Sequence, residues 1–388
     1  MANWLLPEYI HDILPDEAVR IEQMRARTLE SLRRSGYRLV APPLLEYAES
    51  LLIDGSADMD LRSFKLVDQL SGRTLALRAD ITPQAARIDA HLLNHQGVTR
   101  LCYAGSVLHT KPAGLMRTRE LLQIGAELYG DASLRADLEI QRLALESLAD
   151  IGIADMHFDL GHVGVYRSLA RRAGLSADLE QELFSVLQHK DVATLRELLA
   201  GLPEPLRAPL LALPELYGAA GEVLGRARKL LPDEPEIRAA LDDLQAAANH
   251  LAPLAGEIGI DLAELRGYHY HSGMVFAVYH ADSHDAIALG GRYDHLGASF
   301  GRARPATGFS LDLRQLYRLL PPTPPQMGIL APYAEDAALQ QRIAALREAG
   351  EMVVVDLLGD PALRHELDCD RELVLNNGAW TVVGLTLN

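Results

Sequence analysis

The sequence predicts an α+β fold: an antiparallel sheet flanked by helices, with a helical insertion and a small α/β module at the C-terminal end. Three observations carry this. Short apolar or alternating runs at residues 74–78, 101–108 and 124–129 are separated by helical or loop segments, a mixture of short strands and loops that suits an antiparallel sheet rather than a doubly wound parallel one. Residues 163–262 then turn rich in Ala, Leu, Glu and Arg, and their breaks are helical ones: Gly174, Pro203-Glu204-Pro205, Pro214 and Pro232-Asp233-Glu234-Pro235. Strand-like runs return at 274–279, 286–291 and 307–311.

The first helix follows Leu14-Pro15-Asp16, where Ile21, Met24, Thr28 and Leu32 recur at helical spacing and Gly36 marks the stop. Residues 37–46 read as a short strand ended by Pro42-Pro43. Proline offers no N–H to a ladder, so this strand belongs at an edge or against another subunit. A helix over 132–151 turns Leu134, Leu138, Leu145 and Leu148 inward and ends at Gly152, and 156–160 is a further strand. Residues 163–262 form the insertion. Pro321-Pro322-Thr323-Pro324-Pro325 is a stiff, extended linker. Beyond it, 327–331, 352–357 and 373–375 read as strands and 335–349 as a helix before Gly350. Residues 1–162 and 263–320 are therefore two parts of one core, and 326–388 is the small α/β module.

Composition bounds the function. The chain has 388 residues, 48% of them apolar, enough for a substantial core, and no apolar run long enough to span a membrane. Its start lacks a basic n-region, so no secretory signal is expected. Two cysteines, Cys102 and Cys369, make neither a disulfide framework nor a four-cysteine zinc site, which fits a reducing cytoplasm. The net charge of −16 argues against a protein that grips a phosphate backbone.

Four segments place polar groups where a plain core would not. In Leu77-Arg78-Ala79-Asp80-Ile81-Thr82, a strand runs into a helix start, where Asp80 or Thr82 is a candidate cap or ligand group. On a strand starting near Leu121, Gln123 and Glu127 share a face with Gly125 between them, leaving space above the glycine. In residues 265–276, alternation puts Tyr268 and Tyr270 on one face and His269 and His271 on the other. No third ligand is spaced nearby to complete a metal site, so none is expected. Gly290-Gly291 either makes a tight turn or lets the backbone approach a ligand closely.

These segments together resemble class II aminoacyl-tRNA synthetases, and histidyl-tRNA synthetase among them. The resemblance starts near His11-Asp12-Ile13-Leu14-Pro15 and passes through Gly36-Tyr37 and Pro42-Pro43-Leu44-Leu45-Glu46, which match motif 1, the dimer-forming edge in that family. It takes in residues 77–82, Gln123-Ile124-Gly125-Ala126-Glu127 and Arg266-Gly267-Tyr268-His269-Tyr270, and ends with Gly290-Gly291-Arg292-Tyr293-Asp294 and Gly308-Phe309-Ser310-Leu311.

The departures from that family are chemical. Its motif 2 carries a Phe-Arg-x-Glu core, and here the run is Leu108-His109-Thr110-Lys111. Its motif 3 ends Gly-Leu-Glu-Arg, and here the run is Asp312-Leu313-Arg314-Gln315. The two arginines that hold ATP phosphates are thus replaced by His109 and Gln315, and Asp312 adds a negative charge. Arg314, one position away, points about 100° off on a helix. In the Arg-Gly-Leu-Asp-Tyr-Tyr signature, His269 replaces the acid and His271 the last tyrosine, while Arg266 survives.

What the resemblance leaves intact is a free-histidine site. It implies Asp80 and Thr82 for the ammonium, Gln123 and Arg266 for the carboxylate, Glu127 for the imidazole, and Tyr270 and His271 beside them. A histidine pocket without an ATP site resembles the regulatory subunits of ATP phosphoribosyltransferase, a synthetase-derived family. That resemblance implies a non-catalytic subunit without cofactor or metal, with L-histidine as ligand. It implies a short-form catalytic subunit as partner, self-association through the motif 1 edge, feedback inhibition by histidine, and no tRNA or membrane contact. It allows effector histidine either in this pocket or at a subunit interface. The alternatives are a divergent histidyl-tRNA synthetase and a stand-alone amino-acid-binding paralogue. After the linker the tail carries Arg342, Arg347, Arg364 and Arg371 and no lysine, which suits a truncated remnant better than a tRNA reader.

Overall fold

A computed structural model of the chain describes residues 4–51, 57–112, 118–265, 267, 270–322, 324 and 326–385. The chain divides into two compact units, 1–320 and 321–388.

The first unit opens with helix Pro15–Arg34, which buries Ile21, Met24, Thr28 and Leu32 along one stripe. Gly36 then takes a positive φ of 85°, a conformation in which a side chain would be strained. The strands follow in order: β1 (Arg38–Leu39), β2 (Leu45–Tyr47), β3 (Lys65–Val67), β4 (Thr74–Leu77), β5 (Thr99–Leu108), β6 (Glu120–Tyr129), β7 (Met156–His162), β8 (Tyr217–Ala219), β9 (Glu257–Asp261), β10 (Met274–His280), β11 (Ala288–Arg292) and β12 (Ala306–Asp312). Among the described residues, nine of them form one sheet in the order β1-β5-β6-β12-β11-β10-β7-β9-β8, and β2-β4-β3 form a small second sheet. The large sheet is mostly antiparallel, with β1 parallel to β5 and β7 parallel to β9. Helix Leu134–Asp150 covers it, burying Ile140, Ala144 and Leu148. Phe158 of β7 stacks on Phe276 of β10, their ring centres 5.2 Å apart, within the main core. No helix of the described residues is long and apolar enough to cross a membrane.

Several details depart from the sequence expectations. Residues 37–46 are not one strand: β1 stays in the large sheet, β2 joins the small one, and Pro42-Pro43 is the break between them. The β1 pair does lie at a sheet edge. Leu134 and Leu138 are only half-buried. The segment 163–262 is not all helical, because β8 and β9 lie within it. In β9, Ile258 and Ile260 alternate with polar residues and pair with β7, which would otherwise leave an open edge. The chain on either side of the insertion is held together, since the Val163 N–H donates to the Gly273 carbonyl at 3.0 Å and His162 faces Met274, while β9 and β8 extend the same sheet beyond β7.

Of the residues read as alternating at 265–276, Tyr268 and His269 lie outside the described residues, and Tyr270 and His271 precede β10, which begins only at Met274. Gly267, at φ 66°, lets Tyr270 and His271 both bond back to its carbonyl, at 2.8 and 2.7 Å. Gly290 and Gly291 make no turn; they lie inside β11, where a Cβ on Gly290 would strike the ring of Phe276.

The second unit is a four-stranded sheet with one helix. β13 (Gly328–Pro332) lies between β14 (Val353–Asp356) and β15 (Cys369–Asn376), parallel to both, and β16 (Ala379–Gly384) pairs antiparallel with β15. Helix Ala337–Glu348 is capped by Asp336, whose carboxylate also accepts from the Trp380 indole at 2.8 Å. β16 was not expected. Its signal is the Asn377-Gly378 pair, with φ of 50° and 79°, which closes a tight hairpin.

Candidate functional site

The centre of the large sheet builds the site. Glu127 of β6 is 1% exposed. Directly across β12 lies Gly308, where a Cβ would run into the Glu127 carboxylate. Across β5, Tyr103 pairs with Gly125, and a Cβ there would come within 2.6 Å of the Tyr103 phenol oxygen. Two glycines thus make room for one carboxyl and one phenol on the same sheet face.

Tyr103 donates to Glu127 Oε1 at 2.9 Å, and Tyr293, just past β11, donates to Oε2. Tyr129 meets Tyr293 edge-on at 6.4 Å, and Tyr270 stacks on Tyr293 at 5.0 Å. Burial raises the Glu127 carboxyl to about 8, against the lowering effect of the two phenol hydrogen bonds. Burial first, and the Glu127 charge second, push the phenols of Tyr103, Tyr129, Tyr270 and Tyr293 well above their ordinary value.

The second centre is Asp80, at the turn between β4 and helix Thr82–Arg87. Its Oδ1 accepts from the Thr82 N–H at 3.0 Å, the Thr82 hydroxyl at 3.1 Å and Gln123 Nε2 at 2.8 Å. Among the described residues, Asp80 Oδ2 has no such donor. Gln123 also accepts from the Ile81 N–H at 2.9 Å, so it braces this turn and keeps one N–H to spare.

Thr82 and Tyr103 join the two centres, their hydroxyls 3.2 Å apart. Tyr293–Glu127, Glu127–Tyr103, Tyr103–Thr82 and Thr82–Asp80 are four contacts served by three hydroxyl protons. With Glu127 ionised, one contact lacks a proton. A proton on Glu127 completes the chain, running from Glu127 through Tyr103 and Thr82 to Asp80, which agrees with its raised pKa.

Of the expected site residues, Asp80, Thr82, Gln123 and Glu127 are thus joined by hydrogen bonds. Tyr270 joins through its stack on Tyr293. His271 bonds the Arg292 carbonyl through Nδ1 at 3.1 Å, and burial lowers its pKa to about 4, so it is a neutral wall behind Tyr270. Arg266 lies outside the described residues. The sequence reading left out Tyr103, Tyr293 and Gly308. Pairing the 101–108 run against 121–129 was the signal for Tyr103, whereas Tyr293 stood in a segment read for its glycines.

The synthetase-like phosphate positions are otherwise engaged. His109 holds the Ala79 carbonyl at 2.9 Å, and Gln315 reaches Ser283 Oγ and the Ala286 carbonyl. Asp312 accepts from the backbone of Leu122 and Arg314, each at 3.0 Å, and Arg314 turns to Glu120 at 3.1 Å. Arg292 is a clamp rather than a ligand group, donating to Asp137 at 2.9 Å and to the Asp131 and Ser133 carbonyls. No group of three or more His, Cys, Asp or Glu that could hold a metal ion occurs among the described residues.

Residues 9–316 match the histidyl-tRNA synthetase family, and residues 325–383 match the C-terminal domain of the ATP phosphoribosyltransferase subunit HisZ. An ATP phosphoribosyltransferase regulatory subunit of Nitrosospira multiformis is 57% identical over 98% of both chains. One from Burkholderia cenocepacia is also 57% identical, over 98% of this chain and 99% of that one. Among solved structures, the ATP phosphoribosyltransferase regulatory subunit/histidyl-tRNA synthetase of Bacillus halodurans superposes with a TM-score of 0.83 at 26% identity, covering 94% of this chain and 96% of that one. Histidyl-tRNA synthetase from Nostoc sp. PCC 7120 shares the fold, with a TM-score of 0.78 at 20% identity over 99% and 97% of the two chains.

Proposed function

The chain belongs to the family of ATP phosphoribosyltransferase regulatory subunits, and on that premise we propose that it is a non-catalytic histidine sensor that activates a short-form catalytic chain. Its role is regulatory, within histidine biosynthesis. The observation that carries the sensing is the pairing of two carboxyl groups, Glu127 buried under its phenols and Asp80, whose Oδ2 takes no donor among the described residues. Histidine's ammonium takes Asp80 Oδ2, its imidazole takes Glu127, and its carboxylate takes the spare N–H of Gln123 together with Arg266. Tyr270 and His271 wall the site. A site built to satisfy a ring N–H discriminates strongly against side chains that lack one.

The absence of catalysis rests on His109 and Gln315. Each stands where a phosphate-binding arginine would, and each is spent on internal contacts. Adenylation needs cations against the developing phosphate charge. The chain works in the cytoplasm, pairs with itself through the β1 and Pro42-Pro43 edge, needs no cofactor, and handles no tRNA or membrane. To inhibit, histidine must bind the inhibited assembly better than the active one, since equal binding to both shifts nothing.

The test is calorimetry of L-histidine with the wild type and Glu127→Ala, alongside histidine-dependent ATP–pyrophosphate exchange. Binding lost in the variant, with no exchange in either, is expected. Exchange in the wild type would make the chain a synthetase. Unchanged affinity in the variant would move the effector to a subunit interface.

A further inference from the structure

Arg78 leaves β4 two residues before Asp80 and is 6% exposed. Its guanidinium donates through Nε to the Ser106 carbonyl at 2.9 Å, and through Nη1 to the Pro42 carbonyl at 2.7 Å and Gln84 Oε1 at 3.3 Å. Its own N–H donates to the Leu44 carbonyl at 3.0 Å. Among the described residues it forms no ion pair. A buried cation whose hydrogen bonds go to neutral oxygens, with the Glu46 carboxylate acting on it only from beyond ion-pair distance, is costly for stability, so its value lies in geometry: one rigid fork fixing three separate segments.

Those segments are the Pro42–Leu44 edge, the helix that starts at Thr82, and β5. Gly105 of β5 leaves room for the fork, since a Cβ there would collide with Arg78 Nη2. Gly105 faces Gln123 across the β5–β6 pairing, and Gln123 holds Asp80 and Ile81. Gln84 adds a second tie, donating to the Pro43 carbonyl and to Glu46, each at 2.7 Å, and Glu46 also takes Arg87. His109 pins the intervening Ala79 carbonyl. Asp80 therefore cannot shift without moving the fork, and the fork cannot move without shifting the edge.

We propose that Arg78 is a positioning residue that couples the ligand pocket at Asp80 to the Pro42–Glu46 edge, so that occupancy of the pocket is transmitted to that edge. This rests on the histidine reading of the pocket. The edge is exposed at Leu39, Leu44 and Leu45, where a bound chain would sense the change.

Hydrogen exchange read by mass spectrometry, with and without saturating L-histidine, tests the coupling on the full chain. In the wild type, histidine slows exchange in peptides over 79–84 and 120–128, and also in the amides of residues 44–47, the latter on the order of tenfold, the size of an ordinary coupling between sites. In Arg78→Met the pocket peptides stay protected at saturation and the edge protection is lost. Arg78→Lys keeps the buried charge but cannot reach the Pro42 and Ser106 carbonyls together, so it too loses the edge protection. It serves if the methionine variant does not fold. Equal edge protection in these variants and the wild type would overturn the proposal, as would a protected pocket with an unprotected edge in the wild type. A wild-type pocket that histidine leaves unprotected would overturn the histidine reading, and this coupling with it.

Discussion

Gly308 faces Glu127 across the β6–β12 pairing, and the missing side chain at Gly308 is what gives the carboxyl its place. An added methyl would meet the Glu127 carboxyl itself and the Ala126 carbonyl oxygen at 2.8 Å, so it can be accommodated only by displacing the carboxyl. Gly308→Ala is expected to fold, to lose about 1–3 kcal/mol of stability by overpacking, and to weaken histidine binding by about tenfold or more. Thermal unfolding and calorimetry with L-histidine measure the two effects.

The Glu127 proton predicts how stability depends on pH. Burial sets its pKa near 8 in the fold, against an ordinary value of 4.5. Between those values the folded chain holds a proton that the unfolded chain lacks. This contribution is therefore complete below 4.5 and lost as pH rises through 8. Urea unfolding midpoints of the wild type should fall between about pH 5 and pH 9, and those of Glu127→Gln, neutral throughout, should fall less. Parallel curves for the two proteins would mean that Glu127 ionises at its ordinary pH.

Histidine binding should follow the same proton. Beyond the ring's own N–H, the complex shares one titrating proton between the imidazole and Glu127. Below about 6.5 both partners carry a titrating proton, and above about 8 neither does. Affinity should peak between these limits, as in any paired acid and base. Tyr293 donates to Glu127 and holds its pKa down, so Tyr293→Phe should move the alkaline limb to higher pH. Titrations across pH with the two proteins read the shift directly.

Arg292 and Asp137 form a buried pair, their side chains 9% and 7% exposed, that binds the start of helix Leu134–Asp150 to the end of β11. Removing one partner leaves an uncompensated buried charge. Arg292→Ala should cost about 3–5 kcal/mol in urea unfolding, well beyond a surface arginine such as Arg142.

The sequence made periodic elements readable and left irregular ones obscure. Helix Pro15–Arg34 follows from Ile21, Met24, Thr28 and Leu32 at helical spacing, and β5, β6, β10 and β12 from short apolar or alternating runs. β9 stayed hidden because five residues inside a helical stretch carry little pattern, and their partner β7 lies far away in sequence. At the site, Gln123 and Glu127 stand out as polar groups on one strand face, and Asp80 as a polar group before a helix start. That pattern alone suits a cap or a solvated face, and their ligand roles come only from the family resemblance. Tyr293 does not stand out, because a phenol beside two glycines says nothing of the carboxyl it meets two strands away. Strand alternation does not describe Tyr270 and His271, since both lie before β10 and bond back to the Gly267 carbonyl.

Because the Val163 N–H meets the Gly273 carbonyl and β9 pairs with β7, the long excursion between β7 and β10 returns to the sheet beside the strand it left. A protein engineer can treat that as a handle. A fluorescent reporter spliced into the exposed turn at Gly201 would ride on the excursion. It would report the folding of that detour, while the strands that carry Glu127 keep their register.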